Sequence, residues 1–88
     1  MTRDQIDSLA DEHDIEGALL ADGFENAFIG FAERCGSGHV AVYDYANAVK
    51  VLVDRDGMSE EEAEEHLQFN VLGAYVGEQT PWFVTVKP

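Results

Sequence analysis

The chain has 88 residues, with 18 Asp and Glu against 5 Lys and Arg, a formal net charge of −13, and 45% hydrophobic residues. That hydrophobic share fits one packed domain with a thin core and excludes a disordered chain. The acidic excess argues against direct binding of DNA, RNA or an anionic membrane, all of which call for Lys and Arg, and leaves a basic protein partner or solubility alone.

The charge is not spread evenly. Asp4, Asp7, Asp11, Glu12, Asp14 and Glu16 face Arg3 alone in the first block. Asp54, Asp56, Glu60, Glu61, Glu62, Glu64 and Glu65 face Arg55 in the second. The remainder is close to neutral and apolar.

In chain order, Thr2-Arg3-Asp4-Gln5 reads as a capping box. Ile6, Leu9, Ala10 and His13 follow at helical spacing, which predicts a short amphipathic helix over about residues 3–12 with an acidic outer face. The acidic segment 1–16 is expected to attach loosely to the body. Residues 17–21 are a short apolar run that reads as a strand, closed by the turn signal Asp22-Gly23. Residues 27–34 are apolar on both alternating faces and read as a central strand. Residues 35–38, with two glycines, predict a hairpin loop into a third strand over 39–43.

Asp44 is a natural N-cap for a helix over about 45–55, with Tyr45, Ala48, Val49 and Leu52 as its inner stripe and Gly57 as its left-handed end. Ser59-Glu60-Glu61-Glu62 is a second capping box, opening a longer helix over about 60–76. Its first half is acidic, with Ala63 and Leu67 facing inward. Its second half is apolar on more than one side, which predicts burial in the core or at a subunit interface. Pro81 precedes a last strand over 82–86. Tyr43, Tyr75 and Trp82 are expected in the core, Trp82 becoming an interface anchor if its strand lies at an edge. The order predicts a small single α+β domain over 1–88: an antiparallel sheet of about four strands, two main helices on one face, and the short N-terminal helix.

Motifs with chemistry are sparse. Cys35 is the one cysteine, so no intramolecular disulfide framework exists. Cys35 beside Arg34 and His39 is a nominal nucleophile with no oxyanion hole or cleft to serve it; a plain strand end is the stronger reading. Asp54-Arg55-Asp56-Gly57 superficially matches a calcium loop, but placing Gly57 at the sixth position puts Leu52 first and Ala63 last, neither an oxygen ligand. His13, His39 and His66 lack metal-ligand spacing, and no glycine-rich phosphate loop with a lysine occurs. Asn70, set among apolar residues, needs hydrogen-bond partners if buried. No catalytic residues, metal or cofactor are expected. No signal-peptide stretch or run of membrane-spanning length is present, which predicts a soluble cytoplasmic protein.

Several segments together carry a resemblance. They are Asp22-Gly23-Phe24, Ala27-Phe28-Ile29-Gly30, Val42-Tyr43-Asp44-Tyr45, Ser59 to Glu65, and above all Phe69-Asn70-Val71-Leu72-Gly73-Ala74-Tyr75-Val76-Gly77-Glu78 with Thr80-Pro81. With these, residues 18–84 resemble a family of small acidic proteins encoded by tailed bacteriophages. That family has no assigned activity, so the resemblance implies a viral accessory protein in the cytoplasm of an infected bacterium and transfers no catalytic residue. By analogy of class it implies binding and blocking of a host protein, restriction and CRISPR effectors among them.

Two opposed readings apply to the acidic second block. Asp and Glu in a first helical turn favour the helix dipole by about 0.3–1 kcal/mol each, which accounts for Glu60, Glu61 and Glu62. Glu64 and Glu65 lie deeper, as i, i+4 partners of Glu60 and Glu61, where like charges are mildly unfavourable. The candidate partner-binding residues are therefore Asp54, Asp56, Glu60, Glu61, Glu64 and Glu65, with Asp4, Asp7 and Asp11 from the first block. The candidate oligomer interface is Phe69, Leu72, Val76 and Trp82. The leading expectation is a non-enzymatic inhibitor whose carboxylates take the place of phosphates on a host protein with a basic surface. The alternatives are a self-assembling homodimer or larger oligomer, with the acidic face serving solubility, and a small-ligand sequestering protein. The last calls for a pocket containing Lys or Arg if the ligand is a nucleotide.

Overall fold

Thr2 and Ser59 start two helices by the same device. The Thr2 hydroxyl accepts from the Gln5 amide at 3.2 Å, and the Gln5 side chain accepts from the Thr2 amide at 2.8 Å. Ser59 and Glu62 make the reciprocal pair at 3.1 and 3.2 Å. The resulting helices are α1 (Arg3–Glu12) and α3 (Glu60–His66). Between them α2 (Tyr45–Asp56) is capped by Asp44, whose carboxylate accepts from the Asn47 amide at 2.8 Å, and ends at Gly57 in the left-handed region (φ 69°). These are the starts and stops that local side-chain chemistry dictates. The computed structural model describes residues 1–33, 38–71, 77 and 79–87, with the side chains of all of these except Asn70 and Val71. The expected hairpin loop with Arg34 and Cys35, and the positions Leu72, Tyr75 and Val76, lie outside the described residues.

The α+β architecture holds, with a sheet that differs from expectation. Among the described residues three strands, β1 (Phe28–Glu33), β2 (His39–Asp44) and β3 (Trp82–Val84), lie in the order β1-β2-β3. β1 and β2 are antiparallel, but β2 and β3 are parallel, so the sheet is mixed. Its central strand is β2, and β1 is an edge. Parallel pairing follows from the connection: the two helices between β2 and β3 return the chain to the end of the sheet at which β2 began.

The expected strand over 17–21 does not form. Two of its amides are paired elsewhere: the Ala21 amide donates to the Tyr43 hydroxyl at 2.9 Å, and the Leu19 amide to the Gln79 carbonyl at 3.4 Å. A strand ladder is therefore not needed to pair them. A short 3₁₀ turn (Glu25–Ala27) then leads into β1. The long helix expected over 60–76 is α-helical only to His66 and continues as a π-helical turn over Leu67–Val71.

One face of the sheet carries the core. β1 contains a bulge between Phe28 and Gly30, so Phe28 pairs with Tyr43 and Phe31 with Ala41. The extra residue puts Phe28 and Phe31 on the same side, with ring centroids 5.2 Å apart, and leaves Ile29 exposed. Tyr43 stacks on Phe83 of β3 at 5.2 Å and meets Phe28 edge-on at 5.6 Å. Phe24, Ala27 and Ala41, with Ala48, Val49 and Leu52 of α2, Ala63 of α3, Leu67, and Ile6 of α1, complete the buried cluster. α2 lies against the sheet and α3 against α2. Ile6 is the buried residue of α1. Trp82, expected in the core, is instead 41% exposed. It pairs with Val42, whose side chain alternates away from the Tyr43 and Phe83 face that the helices cover.

Candidate functional site

α3 carries one acidic residue after another because only Ala63 of its seven residues is buried. Glu60, Glu61, Glu64 and Glu65 are exposed, and among the described residues none forms an ion pair. Glu62 is the exception with a structural task, since its carboxylate closes the capping box. Helix starting therefore accounts for one glutamate by direct contact, and the other four are held in solvent by the fold.

The remaining acidic candidates divide. Asp56 receives two hydrogen bonds from the Arg55 guanidinium, at 3.0 and 3.1 Å, which hold its carboxyl below the usual carboxylate range. Asp7 accepts from Arg3 at 3.3 Å, and Arg3 also bonds Asp22. Asp7 and Asp56 thus already have a cation each. Asp4, Asp11 and Asp54 are exposed, without an ion pair among the described residues. The residues left for an outside cation are these three and the four glutamates of α3.

Phe69 stands next to that acidic face. It lies in the π-helical turn after α3 and is 75% exposed, while Leu67, two positions earlier, is fully buried. Met58, Glu62, Glu65, His66 and Phe69 line a shallow recess of about 330 Å³. Of the expected oligomer-interface residues, Phe69 and Trp82 are exposed, on different elements.

A second depression of about 500 Å³ runs between α2 and the loop before β1, lined by Gly23, Asn26, Asn47, Lys50, Val51, Asp54 and Arg55. It brings two of the chain's five Lys and Arg residues together. Arg55 is fixed there: its Nη1 donates to the Gly23 carbonyl at 2.8 Å, and its guanidinium carbon lies 5.7 Å from the Phe24 ring centroid. The sequence reading missed this groove. Its signal was the spacing of Asn47, Lys50, Val51 and Asp54, which share one side of a helix, but the opposing Asn26 comes from a loop that only the tertiary fold brings near.

The expected hairpin pair of Cys35 and His39 is described only for His39, which is half-buried and lies 3.6 Å from Glu33 across the strand pair. Among the described residues no three His, Cys, Asp or Glu side chains converge as a metal-ligand set. No helix among them is long and apolar enough to cross a membrane. No protein-family model matches the chain, and no curated protein or solved structure is significantly similar to it.

Proposed function

We propose that this is a non-enzymatic accessory protein of phage type that acts in the bacterial cytoplasm by binding a basic protein surface, its carboxylates replacing the phosphates of a nucleic acid. The observation that carries this reading is the exposure of Glu60, Glu61, Glu64 and Glu65 on one short helix without ion pairs among the described residues. Four like charges within two turns oppose helix formation slightly, so folding supplies no reason for Glu64 and Glu65. A groove that normally holds phosphates offers Lys and Arg in the matching sign, and such contacts are strongly salt-dependent.

The test is capture from a bacterial lysate on the immobilised protein, followed by competition with double-stranded DNA. A captured protein should be released by salt, displaced by DNA, and lost when Glu61, Glu64 and Glu65 are changed together to Gln. Capture that survives the triple substitution and ignores DNA would sink the proposal.

Two further readings each rest on one observation. The groove beside Arg55, whose guanidinium is held by Asp56 and Gly23, contains Lys50, a cation without an ion pair among the described residues that a small anionic ligand could use. The exposure of Phe69 and Trp82 supplies apolar contacts for self-assembly. Isothermal titration with nucleotides addresses the first, and light scattering across a concentration series the second.

A further inference from the structure

From the recess beside α3 we infer that Phe69 is the anchor of the partner surface and that it receives an arginine side chain of the basic partner. This inference rests on the acidic-face proposal and adds its central contact. Phe69 is the most exposed of the large hydrophobic residues described. A π-helical turn places it there, and such turns are frequent at functional sites. Glu65 stands one turn and Glu62 two turns before it on the same recess, with Met58 as an apolar wall and His66 completing the lining. A flat aromatic face beside carboxylates is what a guanidinium takes, with its plane against the ring and its N–H groups toward the oxygens. Lysine suits the carboxylates but gains less from the ring.

A second copy of this chain fits the recess poorly. A two-fold contact through Phe69 brings each residue near its own counterpart, so Glu62 and Glu65 would face Glu62 and Glu65 in a molecule of net charge −13. A basic partner removes that repulsion.

The experiment measures binding of an oligo-arginine and an oligo-lysine peptide of equal length to the wild type, to Phe69→Leu, and to the triple Glu61→Gln, Glu64→Gln, Glu65→Gln variant. Leu keeps an apolar side chain at an exposed position and removes only the aromatic face; thermal melting checks that the fold is retained. Wild type should prefer oligo-arginine. Phe69→Leu should erase the preference and weaken arginine binding by about two- to fivefold, the scale of an exposed cation–π contact. That loss should persist at high salt. The triple variant should weaken both peptides and flatten the salt dependence. Equal arginine binding by Phe69→Leu and wild type overturns the role of Phe69 while leaving the acidic-face proposal standing. No loss in the triple variant overturns both. A dimer seen by light scattering and dissolved by Phe69→Leu assigns the recess to a second copy and overturns the inference.

Discussion

Arg55 closes over Gly23: its Nη1 donates to the Gly23 carbonyl at 2.8 Å, and a β-carbon on Gly23 would stand 2.6 Å from that same nitrogen. Gly23 also has φ of +90°, a conformation L side chains rarely adopt. The contact ties the C-terminal end of α2 to the loop before β1. Gly23→Ala should destabilise the domain by about 1–3 kcal/mol, from backbone strain with displacement of the guanidinium. Arg55→Ala should cost about 1 kcal/mol. In the double variant the clash has no partner while the strain remains, so the two effects should sum to more than the measured loss. Urea unfolding of the four proteins checks this.

Tyr43 gives a pH-dependent prediction. Its ring is buried in the sheet core and its hydroxyl accepts from the Ala21 amide. Burial raises the phenol above its ordinary value of 10.0, against a smaller opposing effect of that hydrogen bond. The folded state therefore favours the protonated phenol. The resulting stability is complete below pH 10.0 and declines as pH rises above it. Tyr43→Phe should cost about 0.5–1.5 kcal/mol at neutral pH and remove this alkaline component. Thermal melting from neutral pH upward reads both.

Leu67 and Phe69 should separate cleanly. Leu67→Ala leaves a cavity in the core and should cost about 2–5 kcal/mol. Phe69→Ala removes a larger side chain that is 75% exposed and should change stability by less than about 0.5 kcal/mol. Chemical denaturation distinguishes them.

Ser59 and the exposed glutamates of α3 should also separate. Ser59→Ala breaks the capping box and should cost about 0.5–2 kcal/mol. Changing Glu61, Glu64 and Glu65 to Gln removes a favourable helix-dipole contact together with the two unfavourable pairs Glu60/Glu64 and Glu61/Glu65, so stability should stay within about 0.5 kcal/mol. A large loss in the triple variant would mean that these carboxylates hold the fold rather than face a partner.

What could be read in the sequence was what short-range chemistry decides. Thr2 with Gln5, Asp44, Ser59 with Glu62, and Gly57 act within one helical turn, and each stands where its neighbours required. What depends on distant partners could not be read. Residues 17–21 have strand composition, yet the Tyr43 hydroxyl and the Gln79 carbonyl, far along the chain, take up two of their amides. The bulge at Phe28 and Gly30 puts Phe28 on the face of Phe31, which strict alternation along the strand does not give, and leaves Ile29 exposed. Trp82 and Phe83 are equally apolar, and only the parallel register with Val42 and Tyr43 decides which is covered. The acidic face of α3 was visible in composition, whereas the π-helical turn that presents Phe69 beside it was not.

The parallel register of β3 also bears on how the chain is made. β1 and β2 adjoin in sequence and should pair early, whereas the second edge of β2 cannot be covered until Trp82–Val84 is made. During that interval a nascent chain presents an open strand edge, the usual route by which unfinished sheets join one another. By then the carboxylates of α1 and α3 have already been synthesised. Mutual repulsion between nascent copies should help keep open edges apart until each β2 is paired with its own β3.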